Sequence, residues 1–197
     1  MTLTRSSATR SRSRRHFALG LAVLVSWKPS AVALRGGRSA LLGVPAAHDV
    51  SISVRPVTRN DRAQWEELWR GYNDFYKQAL PAATTAMTWS RFFDAYENIH
   101  ALVADRSGRL VGLVHYLFHG STSLIGPTCY LQDLFTVPDA RGQGVGRALI
   151  EAVYGRARDG GAERVYWITH ETNATAMKLY DKVATRSGFV VYRKDLR

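Results

Sequence analysis

The apolar positions of residues 50–197 follow two rhythms, and the rhythms alternate along the chain. Ser51–Val57 alternates in the manner of a strand, with Ile52 and Val54 on one side. Thr58-Arg59-Asn60-Asp61 has the Thr-x-x-acid form of a helix start. Trp65, Leu68, Trp69, Tyr72, Phe75 and Tyr76 then recur at three and four residues, which predicts one apolar helix face that Pro81 brings to an end. Thr88–Tyr96 reads as a short second helix. Ala101–Ala104 and Leu110–Phe118 read as strands, and the turn residues Asp105–Arg109 between them predict an antiparallel hairpin. Tyr130–Val137 is an apolar run broken by Pro138. Val145–Arg158 returns to helical spacing, with Val145, Leu149, Ala152 and Val153 inward, and Asp159-Gly160-Gly161 ends it. Arg164–Thr169 predicts a strand, parallel to the Tyr130–Val137 strand through a right-handed crossover. Asn173, Met177, Tyr180 and Ala184 fall on one face of a last helix with Asn173 as its cap, and Phe189–Lys194 predicts a final strand. The sum is an α/β fold built on a mixed sheet.

Composition divides the chain. Residues 1–48 carry eight basic residues and no acid, so only +3 of the net charge of +11 belongs to the remainder. The Arg/Ser-rich stretch 1–49 is expected to be a disordered tail ahead of a single domain over 50–197. Ser13-Arg14-Arg15-His16-Phe17 followed by the apolar Phe17–Trp27 resembles a twin-arginine export signal; an organelle-type presequence and upstream sequence from a mistaken start codon are the competing readings. The apolar segment is too short and broken for a stable transmembrane helix. The mildly basic domain shows no basic helix with interleaved aromatics, which argues against a nucleic-acid partner. The single cysteine, Cys129, cannot form an internal disulfide and reads as a buried small hydrophobe. His115 and His119 lie about 13 Å apart on a strand at ~3.3 Å per residue, too far for one ion, so no metal site is expected.

Candidate chemistry concentrates in Leu131–Arg147. Strand, then Arg141-Gly142-Gln143-Gly144-Val145-Gly146-Arg147, then helix makes an anion-binding corner: the glycines let backbone N–H groups approach a ligand, and the helix adds its free N–H groups and positive dipole end. Arg141 and Arg147 add charge suited to phosphate. Gly146 is followed by Arg147-Ala148 rather than Lys-Ser/Thr, which excludes a Walker loop, and the spacing Gly142-x-Gly144-x-Gly146 is not the dinucleotide fingerprint.

Arg141-x-x-Gly144-x-Gly146 resembles the pyrophosphate loop of the GNAT superfamily, the acyl-CoA-dependent N-acyltransferases. Leu131–Val137 resembles the strand before that loop, and Asn173…Leu179-Tyr180…Ser187-Gly188-Phe189 resembles the family's fourth-helix segment. The likeness spans Ile52–Arg193 and is nearest in pattern to the polyamine and histone-type branch. It implies a central sheet splayed into a V with helices on both faces. It also implies acetyl-CoA as co-substrate, bound through Leu134, Phe135, Thr136, Val137, Arg141, Gly142, Gln143, Gly144, Val145, Gly146, Arg147 and Asn173.

The resemblance further implies that acetyl passes directly to a primary amine (a polyamine, a lysine side chain of a peptide, or another small amine) and that the enzyme is cytoplasmic. Tyr180 is the candidate acid for the departing thiolate, since a phenol can give up a proton. A backbone N–H near Phe135 is expected to polarise the acyl carbonyl. Polyamine acetyltransferases carry Glu-Asp where this chain has Gln132-Asp133. Gln132 cannot act as a base; Asp133 is the candidate, with a merely loop-orienting role as the alternative. Strand alternation predicts that these two side chains take opposite faces. The first helix borders the acceptor site in this family, which makes Tyr72, Asp74 and Tyr76 candidate substrate residues along with Glu171. Many members have one more strand than this chain predicts, which leaves an open edge or a homodimer interface. The rival functional class is a non-catalytic acyl-CoA-binding regulatory module.

Overall fold

In the computed structural model, which describes residues 51–196, five strands form one sheet in chain order: β1 (Ser53–Pro56), β2 (Ile99–Arg106), β3 (Arg109–His119), β4 (Thr128–Thr136) and β5 (Arg164–Tyr166). The first three pairings are antiparallel; β4 and β5 run parallel. The expectations for 1–49 lie outside the described residues. Among the described residues, no helix is long and apolar enough to cross a membrane.

Two helical layers cover the sheet. α1 (Arg62–Phe75) buries Trp65, Leu68 and Trp69 against Val103, Leu110 and Leu113, with Trp89 of α2 (Ala82–Arg91) packed alongside. α3 (Val145–Asp159) buries Val145, Leu149, Ile150 and Val153 against Leu102, Ala104, Val114 and Leu131 on the opposite face. α4 (Ala174–Val183) adds Leu179, Tyr180 and Val183 to that second layer. Arg55 of β1 ties the sheet to the start of α1: its guanidinium bonds Asp61 at 2.8 and 2.9 Å and Asp105 of β2 at 2.9 Å.

Two bulges reset the alternation. Ala104 pairs with Gly112 but Asp105 with Leu110, so Val111 is an extra residue on β3; His115 pairs with Asp133 but Tyr116 with Leu131, so Gln132 is an extra residue on β4. The second bulge turns Asp133 to the α1 face, where it meets His115, and overturns the expectation that Gln132 and Asp133 take opposite faces.

The structure also differs from the sequence reading in four elements. α1 ends at Phe75, with Tyr76 as its C-cap, short of Pro81. α2 starts and ends earlier than Thr88–Tyr96, because Pro81 supplies its N-terminus. β5 stops at Tyr166 rather than Thr169, since β4 offers it only Thr128, Cys129 and Tyr130. Phe189–Lys194 forms no strand; it joins neither edge strand of the sheet, β1 or β5, and Phe189, Val190, Val191 and Tyr192 remain exposed.

Candidate active site

The short β4–β5 pairing opens the sheet. Past Tyr130 the two strands share no ladder, while β4 stays paired with β3 through Thr136. Which backbone groups face the gap follows from two hydrogen bonds. The Val137 N–H donates to Val111 O of β3, so by alternation Phe135 also turns its N–H to β3. Arg141 Nε donates to Thr136 O at 3.1 Å from the other side. The backbone groups of Leu134 and Thr136, rather than those of Phe135 and Val137, therefore lie on the open edge. The Phe135 ring turns to α1, where a Cβ added to Gly71 would come within 2.8 Å of it.

The glycine-rich corner lies at the end of this edge. Gly142 and Gly144 have φ of 74° and 85°, left-handed values that favour glycine, and Gly144 is the N-cap of α3. The first helical bond runs from the Ala148 N–H to Gly144 O, so the N–H groups of Val145, Gly146 and Arg147 have no intrahelical partner. Gln143 turns its side chain aside: its amide accepts from Arg106 at 2.8 Å and donates to Asp139 O at 2.8 Å. Arg141 rests between the Phe75 and Phe135 rings, about 6 Å from each centroid. Arg147 pairs loosely with Glu151 on the exposed side of α3, at 3.5 Å. The exposed amides, the left-handed glycines and the unpaired strand edge fit a phosphate-bearing chain with amide groups along its arm.

Asn173 occupies the N-cap of α4, but its side chain makes no cap; its Nδ2 donates instead to Thr169 Oγ1 at 3.3 Å. Tyr180 meets Trp167 edge to face at 5.3 Å. Burial, reinforced by Tyr76, pushes the Tyr180 phenol up to about 12, with nearby Thr169 acting the other way. The bond from Asn173 to Thr169 was not visible in the sequence, because nothing in the spacing singles out that threonine.

Between α1, α2, β4 and the segment after β5 lies a cavity of about 640 Å³. Tyr72, Tyr76, Tyr130, Gln132, Asp133 and Thr169 are among its lining residues, with Arg91, His170 and Arg193. Tyr72 and Tyr76 are thus brought to one site with Asp133. Asp74 and Glu171 are exposed and outside the lining. Asp133 is buried, 6% exposed, and its Oδ2 lies 2.9 Å from His115 Nδ1. Burial first, and the Asp133 charge second, raise the phenols of both Tyr72 and Tyr130, which keeps them protonated donors beside the carboxylate. His115 itself was read in the sequence only as a poor metal ligand. Its true neighbour lies 18 residues on and is set by the bulge at Gln132. His119 points elsewhere, to Gly120 O and the Tyr166 hydroxyl. Among the described residues, no group of three or more His, Cys, Asp or Glu side chains is placed to hold a metal.

An open mixed sheet with a glycine-rich helix N-terminus at the mouth of the gap is the frame of an acyl transferase. The sequence profile of the acetyltransferase (GNAT) family matches residues 63–184, and the chain belongs to that family. It is an N-acetyltransferase-type enzyme that moves acetyl groups to amines. The D-amino-acid N-acetyltransferase HPA3 of Saccharomyces cerevisiae is 35% identical over 146 residues, 73% of this chain and 91% of the relative. An uncharacterised N-acetyltransferase of Bacillus subtilis, YhfO, is 27% identical over 143 residues, 72% of this chain and 95% of its own length. The aminoglycoside acetyltransferase AAC(6')-Iy, solved with a bisubstrate analogue, shares the fold at a TM-score of 0.65 and 16% identity, over 74% of this chain and 98% of its own.

Proposed function

We propose that the protein acetylates the amine of a small amino-carboxylate compound, with acetyl-CoA as the donor. The observation that carries the acceptor class is the charge of the cavity. Among the described residues that line it, Asp133 is the one acid, and it is buried; Arg91 and Arg193 also line it, and both are far more exposed. A monoamine bearing a carboxylate matches that order: cationic end inward to Asp133 and the tyrosines, anionic end outward to the arginines. A polyamine would set a second cation against Arg91 and Arg193. Arg91 pairs with Glu97 at 3.1 Å and Arg193 with Asp195 at 3.4 Å, but both pairs are solvent-exposed and weak enough to be re-formed around a ligand. The yeast relative, by its name, acts on D-amino acids, which carry both groups.

Bound acetyl-CoA supplies an acetyl thioester, an acyl group already activated for attack by an amine. The amides from Gly142 to Arg147 and the start of α3 hold its diphosphate, and Arg141 and Arg147 supply charge nearby. The open edge at Leu134 and Thr136 pairs with its amide arm as a strand would, and one of these N–H groups polarises the acyl carbonyl. Asp133 takes a proton from the acceptor's ammonium group, so the nitrogen arrives with its lone pair free. As the nitrogen–carbon bond forms and the carbon–sulfur bond breaks, Tyr180 gives its phenolic proton to the sulfur, and the second proton of the nitrogen passes to the phenolate so formed, which leaves a neutral amide and restores the phenol. Holding amine and thioester side by side supplies much of the rate.

The test is a thiol-release assay with acetyl-CoA against α-amino acids of both hands, polyamines and aminoglycosides. Saturable release with amino acids is expected. Release with polyamines or aminoglycosides alone would remove the amino-carboxylate assignment.

A further inference from the structure

Asp133 does not stand alone at the base of the cavity. His115 lies beneath it on β3, 2% exposed, with its ring packed against Trp65, Trp69 and Phe92 at centroid distances of 5.9, 5.2 and 4.8 Å. Both ring nitrogens are engaged. Nδ1 lies 2.9 Å from Asp133 Oδ2, and Nε2 lies 3.0 Å from Nε1 of Trp65, which is fully buried. An indole N–H can donate and cannot accept. Nε2 must therefore offer its lone pair, and the ring proton sits on Nδ1, where it donates to the carboxylate. The opposite tautomer would set two N–H groups against each other at Trp65 and two lone pairs against each other at Asp133, both out of reach of water. Trp65 belongs to α1 and Asp133 to β4, so the tautomer is fixed from the opposite layer of the fold.

Resting on the reading of Asp133 as the residue that receives the amine proton, we infer that Trp65 and His115 are positioning residues for acetyl transfer. Trp65 locks His115 as the Nδ1–H tautomer. The Nδ1–H then occupies Oδ2 and fixes the carboxylate plane, which leaves Oδ1 for the Tyr72 hydroxyl and the acceptor nitrogen. The arrangement answers a problem of burial: a carboxylate among aromatic rings needs a donor to keep it an acceptor, and a donor able to reverse its role would defeat it. Neither Trp65 nor His115 has to touch the acetyl group.

Two measurements test this. Long-range proton–nitrogen NMR on protein labelled at its six histidines, with His115 assigned by its loss in a His115→Asn variant, reports the tautomer directly. A protonated-type nitrogen at Nδ1 and a lone-pair-type nitrogen at Nε2 are expected; a proton on Nε2 overturns the proposal whether or not any acceptor is turned over. Kinetics supply the second arm. His115→Leu removes the donor and should lower kcat at least tenfold while the acetyl-CoA KM stays within twofold. His115→Asn keeps an N–H near the Nδ1 position and should recover most of kcat. If both variants lose kcat alike, or if the acetyl-CoA KM moves as far as kcat, the histidine is packing only. A wild-type protein that shows the Nδ1–H tautomer yet acetylates no amine would count against the functional reading and not against the lock.

Discussion

Tyr130 is the last residue of β4 to find a partner on β5, opposite Tyr166, and the two rings stack at 4.9 Å. Tyr166 is held from its other side by His119, whose Nε2 lies 3.2 Å from the phenol oxygen. The vertex of the open sheet is thus an aromatic clamp rather than a longer ladder. Tyr166→Ala should cost about 1 kcal/mol of stability beyond the loss of buried area, as stacked aromatic pairs do. It should also raise the acetyl-CoA KM, because the edge beside it loses its fixed end. Urea unfolding and initial-rate kinetics check the two effects, and a variant unchanged in both would show that the clamp is incidental.

Tyr180 is held well protonated: its phenol stands at about 12 because it is buried. Tyr180→Phe should leave acetyl-CoA binding intact by calorimetry and lower kcat at least tenfold, about 1.4 kcal/mol in the barrier. The raised value also fixes a sign. The neutral phenol favours the folded state fully below its ordinary range near 10, and that contribution is lost as pH rises through about 12. Alkaline unfolding of Tyr180→Phe should accordingly be less steep across that window than that of the wild type.

Acid behaviour should be governed in part by Asp61. Its bonds from Arg55, with smaller help from Thr58 and against the cost of burial, hold its carboxyl at about 2 from an ordinary 3.8. The stability it contributes is complete above the ordinary value and disappears as pH falls through the folded one. Asp61→Asn should therefore cost about 2 kcal/mol at neutral pH and flatten the loss of stability between roughly pH 4 and 2. Denaturant midpoints measured across that range are the check; parallel curves for the two proteins would contradict it.

Gly144→Ala tests the anion corner. At φ 85° an alanine is strained, by about 1–2 kcal/mol, and the amides that follow it lose their alignment. The expected outcome is weaker acetyl-CoA binding with the far side of the molecule unaffected, so that a thermal midpoint lowered slightly in the free protein fails to rise on adding CoA. A normal CoA-induced rise would separate the glycines from the coenzyme.

The sequence made some parts of this site legible and concealed others. Helical spacing of Trp65, Leu68 and Trp69 named the buried face of α1 correctly, and the glycine spacing placed the start of α3 at Val145. These are local signals, written within one turn of chain. The bulge at Gln132 left no such mark, because an extra residue is visible only against the partner strand. Everything that depends on it, including the meeting of Asp133 with His115, was out of reach of a period-two reading. Asp74 and Glu171 carry a charge suited to an amine, yet both are exposed and off the cavity lining. Arg91 and Arg193 line the cavity with no mark in the sequence, since an arginine on a helix end or near a terminus looks like ordinary surface. The run Phe189–Tyr192 shows the same limit: strand propensity makes no strand without pairing, and this run joins neither edge of the sheet, at β1 or at β5.

The most direct measurement is a competition in one tube. Purified protein receives acetyl-CoA with equal concentrations of an α-amino acid, the same amino acid with its carboxylate blocked as an amide, and a diamine, and the acetylated products are identified and counted by mass spectrometry. If Asp133 takes the amine while Arg91 and Arg193 face an anion, the free amino acid is acetylated in at least tenfold excess over the other two. If the amide or the diamine is acetylated as fast or faster, the assignment of the acceptor site is wrong.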